Sequence, residues 1–187
     1  LRQVAAHLSW LRAVPPDLIV ASPLGRVRHT AAILATGLAA AGPGDAGEAV
    51  PLRPVFDDAL RERSMGIFDG RTLDEIERSH PDEHAAREAD PWSYRAPGGE
   101  NYDDLMARTG PLLARLLRHP ARRVLVVSHG TLARPLLGGL LGLERARILR
   151  LRAPNDVAYR IRLGPPPRIE HHRGEARGEG LIWMDEG

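Results

Sequence analysis

Apolar and polar positions along this chain predict helices and short buried strands in turn. Val4, Ala5, Leu8 and Leu11 recur at helical spacing, and the compact run Asp17 to Ala21 reads as a buried strand. An alanine-rich helix is predicted from Thr30 to Ala41, closed by the breaker Ala41-Gly42-Pro43-Gly44. Val50 to Phe56 predicts another strand, leading into Leu60-Arg61-Glu62-Arg63 and a loop marked by Gly66 and Gly70. Thr72 and Glu75 have the spacing of a capping box, so a short helix should start there. His80 to Asp90 is polar and helical in composition, and Trp92 to Glu100 reads as a loop. Asn101 is placed to cap a helix whose first turn carries Asp103 and Asp104. That helix has a core-facing stripe of Leu105, Leu112, Leu113, Leu116 and Leu117, disturbed by Pro111. Val124 to Val127 is a strand with a helix from Thr131 to Leu141 directly behind it.

The C-terminal part predicts a strand from Val157 to Leu163, an edge strand around Arg168 to His172 and an apolar cluster at Leu181-Ile182-Trp183. Strands alternating with helices predict an α/β fold, a wound sheet in one domain spanning 1–187. No repeat or linker divides the chain.

Composition narrows the chemistry. All 26 basic residues are arginine, so lysine chemistry is excluded, and with 24 acidic residues the formal net charge is only +2. Arginines scattered among acids do not predict a continuous nucleic-acid surface. The absence of cysteine excludes disulfides, thiolate metal sites and cysteine nucleophiles. No apolar run has the length of a membrane span. The expected setting is cytoplasmic, with no membrane or nucleic-acid partner and a homodimer left open.

Ser128-His129-Gly130 stands where the Val124 strand gives way to a helix. Backbone N–H groups and the positive end of a helix attract anions at such a junction. A second junction, Ser22-Pro23-Leu24-Gly25-Arg26, delivers an arginine to the same sheet edge. Together they outline one phosphate pocket. Taken singly, His129 can also be a satisfied histidine at a sheet edge, Arg26 a surface residue, and Arg61-Glu62-Arg63 a solvated loop with local ion pairs. Arg95 reads as an exposed loop arginine, and Glu100 as part of helix capping. His7, His29, His80, His84 and His119 lie in helical or polar contexts, and His171 and His172 read as a solvated strand end.

Four motifs in register, Ser22 to Arg26, Leu60 to Arg63 with its glycine loop, Pro97-Gly98-Gly99-Glu100, and Val127 to Gly130, resemble the histidine phosphatase superfamily. The resemblance implies the phosphoglycerate-mutase-like fold, a three-layer, mostly parallel sheet with helices on both faces. It implies a metal-independent phosphomonoester hydrolase without cofactor, acting on a small phosphorylated metabolite through a phosphohistidine. It matches Arg26 to a pocket arginine, His129 to the second pocket histidine and Glu62 to the acid that protonates the leaving oxygen. Ser22, Arg63 and the N–H groups of Gly130 and Thr131 would bind the substrate phosphate. Guanidinium and imidazolium groups would supply the positive charge that phosphoryl transfer needs.

The family's nucleophilic histidine lies in an Arg-His-Gly motif on a strand expected upstream of Leu1, where that strand is central to the sheet. Its loss would leave backbone groups unpaired at about 1–3 kcal/mol each, so a complete enzyme whose first strand precedes Leu1 is the expectation. The 187 residues alone are expected to be inactive. A short stretch from Gly70 to Gly99 favours a phosphatase over a phosphoglycerate mutase. The mutase, an α-ribazole phosphatase and a non-catalytic phospholigand-binding pseudoenzyme are the alternatives.

Overall fold

The computed structural model describes residues 2–40 and 52–184. Its first sheet has three parallel strands, β1 (Leu18–Ala21), β2 (Val55–Phe56) and β3 (Val124–Val127), in the order β2-β1-β3. The β1–β3 register pairs Leu18 with Val124, Ile19 with Leu125, Val20 with Val126 and Ala21 with Val127. Successive side chains of a strand point to opposite faces, and both faces are covered. Leu18, Val20, Val124 and Val126 pack into a core with Leu105, Leu112 and Leu132. These leucines come from α5 (Tyr102–Leu117) and α6 (Gly130–Leu141). Leu125 and Val127 pack on the other face, against Trp10, Leu11 and Leu34. That layer is α1 (Arg2–Ala13) and α2 (Gly25–Ala39). The expected three-layer α/β arrangement is therefore present.

The helix ends follow from local chemistry. Asn101 caps α5 through a full capping box with Asp104, and Thr72 does the same with Glu75 for α3 (Leu73–Ser79). Helix α4 (Pro81–Ala89) follows directly. Pro111 lies inside α5 without ending it. Helix α2 starts at Gly25, well before the alanine-rich stretch, because burial of Val27 and Ala31 against Ala21 and Val127 recruits a turn that has no polar N-cap. The Gly42–Gly44 breaker and the start of the Val50 strand lie outside the described residues. The described part of that strand, β2, is two residues long.

The late strands depart from the sequence reading. After α7 (Arg145–Arg150), β4 (Val157–Arg162), β5 (Arg168–Arg173) and β6 (Ala176–Glu179) form a separate antiparallel sheet, with β5 in its centre and not at an edge. His172 on β5 is buried at 2% exposure, not solvated. Its ring stacks on Trp10 at 5.2 Å, and its Nδ1 lies 2.8 Å from Nδ1 of His7 on α1. Arg160 on β4 lies over the Trp10 ring and donates to the Trp10 carbonyl at 2.6 Å. The second sheet thus holds α1 through an aromatic and imidazole cluster.

Among the described residues, β3 is paired only with β1 and β4 only with β5. Leu125 and Val127 of β3 and Ala158 of β4 lie against the same Trp10 cluster. Two open strand edges therefore border one core. No helix among the described residues is long and apolar enough to cross a membrane.

Gly66 has φ +56°, and a Cβ there would run into the Pro97 carbonyl oxygen, so the glycine loop and the Pro97–Gly99 turn meet only through a residue without a side chain. Gly66→Ala should destabilise the protein by at least about 1–3 kcal/mol from backbone strain alone, measured by denaturant unfolding. The His7 and His172 rings supply a second prediction. Burial holds both below the ordinary histidine pKa of 6.5, partly offset at His7 by Asp156 and reinforced at His172 by His7, Arg177 and Arg160. The unfolded chain binds the proton more tightly, so this stability is complete above pH 6.5 and is lost as pH falls below it. Tm should decline from about pH 6.5 downward, and His7→Gln should make that decline shallower.

Candidate active site

The parallel register of β1 and β3 continues past both strands, with Ser22 N–H donating to the Val127 carbonyl at 3.0 Å. Ser22 and His129 therefore emerge side by side. His129 is the N-cap residue of α6 and is 5% exposed, and Ser22 is wholly buried. Arg26 stands on the exposed first turn of α2. Its guanidinium donates to His129 Nδ1 from Nε at 3.2 Å and from Nη2 at 2.9 Å. Arginine has no acceptor atom, so Nδ1 is the unprotonated ring nitrogen. The proton sits on Nε2, which donates to Ser22 Oγ at 2.8 Å. Ser22 Oγ also accepts from Leu24 N–H at 3.3 Å, which fixes the turn that presents Arg26.

This geometry corrects one expectation. Burial first, then the charges of Arg26 and Arg108, push the His129 pKa down to about 4. With that shift His129 is a neutral imidazole near pH 7, not an imidazolium. The resting positive charge is that of the guanidinium groups.

Glu62 lies across from the start of α6. Its Oε1 accepts from its neighbour's N–H, Arg63 N, at 3.0 Å and from Leu132 N–H at 3.3 Å. Leu132 is the third residue of α6, so the carboxylate sits at the same helix end that His129 opens. Gly130 and Thr131 supply the first two N–H groups of that helix. A Cβ on Gly130 would lie 2.9 Å from the Ala153 carbonyl, so this close approach requires glycine.

Arg63 is placed differently from its expected substrate-binding role. It is 8% exposed, and its guanidinium donates to the carbonyls of Glu100 at 2.7 Å and Tyr94 at 3.0 Å, over the Tyr102 ring. Those contacts tie the Leu60–Arg63 segment to the start of α5. Glu100 joins the same network, accepting from Ser64 N–H and Arg108. Arg95 forms an exposed ion pair with Asp104.

Sequence reasoning missed Arg108. It lies in the leucine stripe of α5, between buried Leu105 and Leu112, and an arginine inside a core-facing stripe is the signal that marks it. Among the described residues no group of three or more His, Asp or Glu side chains is arranged to hold a metal ion.

Comparison with known proteins gives the family. Residues 1–166 match the model of the histidine phosphatase superfamily (branch 1), and the chain belongs to that family. It is 36% identical over 103 residues to a 6-phosphofructo-2-kinase/fructose-2,6-bisphosphatase of Gallus gallus, covering 55% of this chain and 22% of that protein. A Saccharomyces cerevisiae 6-phosphofructo-2-kinase 1 is 37% identical over 102 residues, covering 54% and 12%. The chain thus spans about a fifth or less of the length of these curated relatives. Among solved structures, the α-ribazole phosphatase of Shigella flexneri superposes with TM-score 0.70 at 20% identity, covering 87% of this chain and 75% of that one. A mycobacterial glucosyl-3-phosphoglycerate phosphatase, solved with VO3, gives TM-score 0.67 at 27% identity, covering 97% and 82%.

The hydrogen bonds of His129 predict its tautomer, and its burial beside two guanidinium groups predicts how it titrates. Its ring signals should show the Nε2–H tautomer at pH 7 and a midpoint near 4. Arg26→Ala removes one of the two depressing charges and should move that midpoint upward. NMR titration checks both, and an unshifted wild-type midpoint at 6.5 would contradict a buried His129 beside two guanidinium charges.

Proposed function

We propose that the full-length protein is a metal-independent phosphomonoester hydrolase of small phosphorylated metabolites, with Arg26, His129 and Glu62 in its active site. The observation that carries this reading is the convergence of Arg26, His129 and Ser22 at two adjacent strand ends, beside the N-terminus of α6. A phosphate on Arg26 and the Gly130 and Thr131 N–H groups would face one guanidinium and a helix N-terminus, the charge arrangement that stabilises a transferring phosphoryl group. The dianion would also oppose the two guanidinium charges that depress His129. Binding would then draw a proton onto His129, making it the imidazolium that the bound phosphoryl group requires.

The nucleophile in this reading is a histidine on a strand inserted between the open edges of β3 and β4. Such a strand would satisfy both edges and cover the Trp10 cluster. Its imidazole attacks phosphorus, the ester P–O bond breaks, and the leaving oxygen takes a proton from the Glu62 carboxyl. Water then attacks the phosphohistidine and gives its proton to the Glu62 carboxylate as the P–N bond breaks. Phosphate leaves, and both residues return to their starting forms. The short Gly70–Gly99 segment, folded as two small helices and a loop, supports hydrolysis over mutase chemistry.

The full-length protein should hydrolyse p-nitrophenyl phosphate in the presence of EDTA. Arg26→Ala should lower turnover by about 10²–10³-fold, the loss of one preorganised donor to the transferring group. Glu62→Gln should slow alkyl phosphates severely and p-nitrophenyl phosphate little, because p-nitrophenolate departs without a proton. Phosphate binding without turnover of any ester in a broad panel would instead identify a phospholigand-binding pseudoenzyme.

A further inference from the structure

The peptide that presents Glu62 is held in an unusual way. From within the 3₁₀ turn at Asp58–Leu60 to just beyond it, side chains take the four successive carbonyls of Ala59, Leu60, Arg61 and Glu62. Ser128 Oγ donates to the Leu60 carbonyl at 3.1 Å. Arg108 takes the other three, donating from Nη1 to Ala59 at 2.5 Å and from Nη2 to Arg61 at 2.8 Å and Glu62 at 3.4 Å. The Glu100 carboxylate aims that guanidinium, accepting from Nε at 2.7 Å and from Nη2 at 3.2 Å. Glu100 is itself anchored by Ser64 N–H at 3.0 Å. A planar, five-donor fork can grip several carbonyls and a carboxylate at once, which an ammonium group cannot reproduce.

We infer that Arg108, aimed by Glu100, is the positioning residue for Glu62, fixing the Ala59–Glu62 peptide so that the Glu62 carboxylate meets the N-terminus of α6. The 3₁₀ turn uses the Leu60 and Arg61 N–H groups, on the Asp57 and Asp58 carbonyls, and Leu60 is anchored in the core, while the carbonyl side of the segment is held by the Arg108 fork and Ser128. Arg108 does not touch the reacting atoms in this scheme. Its effect reaches them through the Glu62 carboxylate, whose contact with Leu132 N–H reports the placement directly.

The catalytic half of this inference rests on the proposed phosphatase activity, and the structural half does not. In the full-length protein, Arg108→Lys keeps the charge and loses the fork. Amide exchange at Leu132 should accelerate, because Glu62 Oε1 no longer stays on its N–H. Turnover of alkyl phosphates should fall by about 10²-fold, the scale of a misplacement near 1 Å, with p-nitrophenyl phosphate much less affected. The double variant Arg108→Lys, Glu62→Gln should be no slower on alkyl phosphates than Glu62→Gln alone.

Unchanged Leu132 exchange in a folded Arg108→Lys protein, or equal losses on both ester types, would overturn the inference. If wild-type protein hydrolyses no ester while Arg108→Lys still speeds Leu132 exchange, the phosphatase reading fails and the positioning role stands. Should Arg108→Lys not fold, Glu100→Gln weakens the same grip. It must then show the same exchange and leaving-group signature in milder form, and its absence overturns the inference.

Discussion

Parallel pairing of β1 with β3 is the constraint on which the site depends. Ala21 is opposite Val127, and the next hydrogen bond, Ser22 N–H to Val127 O, carries that register into the loops. Serine and histidine side chains consequently meet above the sheet end, where α2 and α6 both begin. A slip of one residue would exchange the two faces of β3. Val124 and Val126 would leave the α5 and α6 layer, and His129 would no longer meet Ser22. Burial of alternating aliphatic residues on both sides therefore fixes the pocket as well as the core.

Electrostatics within the pocket follow from that closeness. A buried imidazole beside a guanidinium cannot readily take up a second ring proton. It satisfies itself instead as an acceptor from Arg26 and a donor to Ser22. Arg26, His129 and Ser22 form a closed chain of hydrogen bonds, in which the guanidinium carries the positive charge.

Away from the pocket, arginine side chains take over work that backbone ladders do elsewhere. Arg63 and Arg108 each cap carbonyls of irregular segments, and Arg160 ties the second sheet to α1. The absence of lysine is consistent with this use. A rigid fork can satisfy several acceptors in fixed directions, whereas a single ammonium cannot. The loops that carry Glu62 and Glu100 are thereby held at definite distances without regular secondary structure.

Sequence by itself determined the elements with strong local signals. The capping box at Thr72, the helix cap at Asn101, the aliphatic runs of β1 and β3 and the two strand-to-helix junctions were all legible, as was the family that their order resembles. Those features arise from interactions within a few residues, or from aliphatic runs that read as strands whatever packs on them. Tertiary structure decided the rest. The early start of α2 depends on Val27 finding Ala21 and Val127, and no neighbouring residue announces it. His172 looked solvated because its burial comes from Trp10 and His7 on a distant helix. Arg63 has the same local appearance as a surface arginine, and only the carbonyls brought to it by folding separate clamp from substrate ligand; Arg108 was marked by its place in the leucine stripe, but its acceptors were not. The protonation state of His129 is likewise a property of its folded surroundings, since desolvation and neighbouring guanidinium charges have no counterpart in the order of the residues.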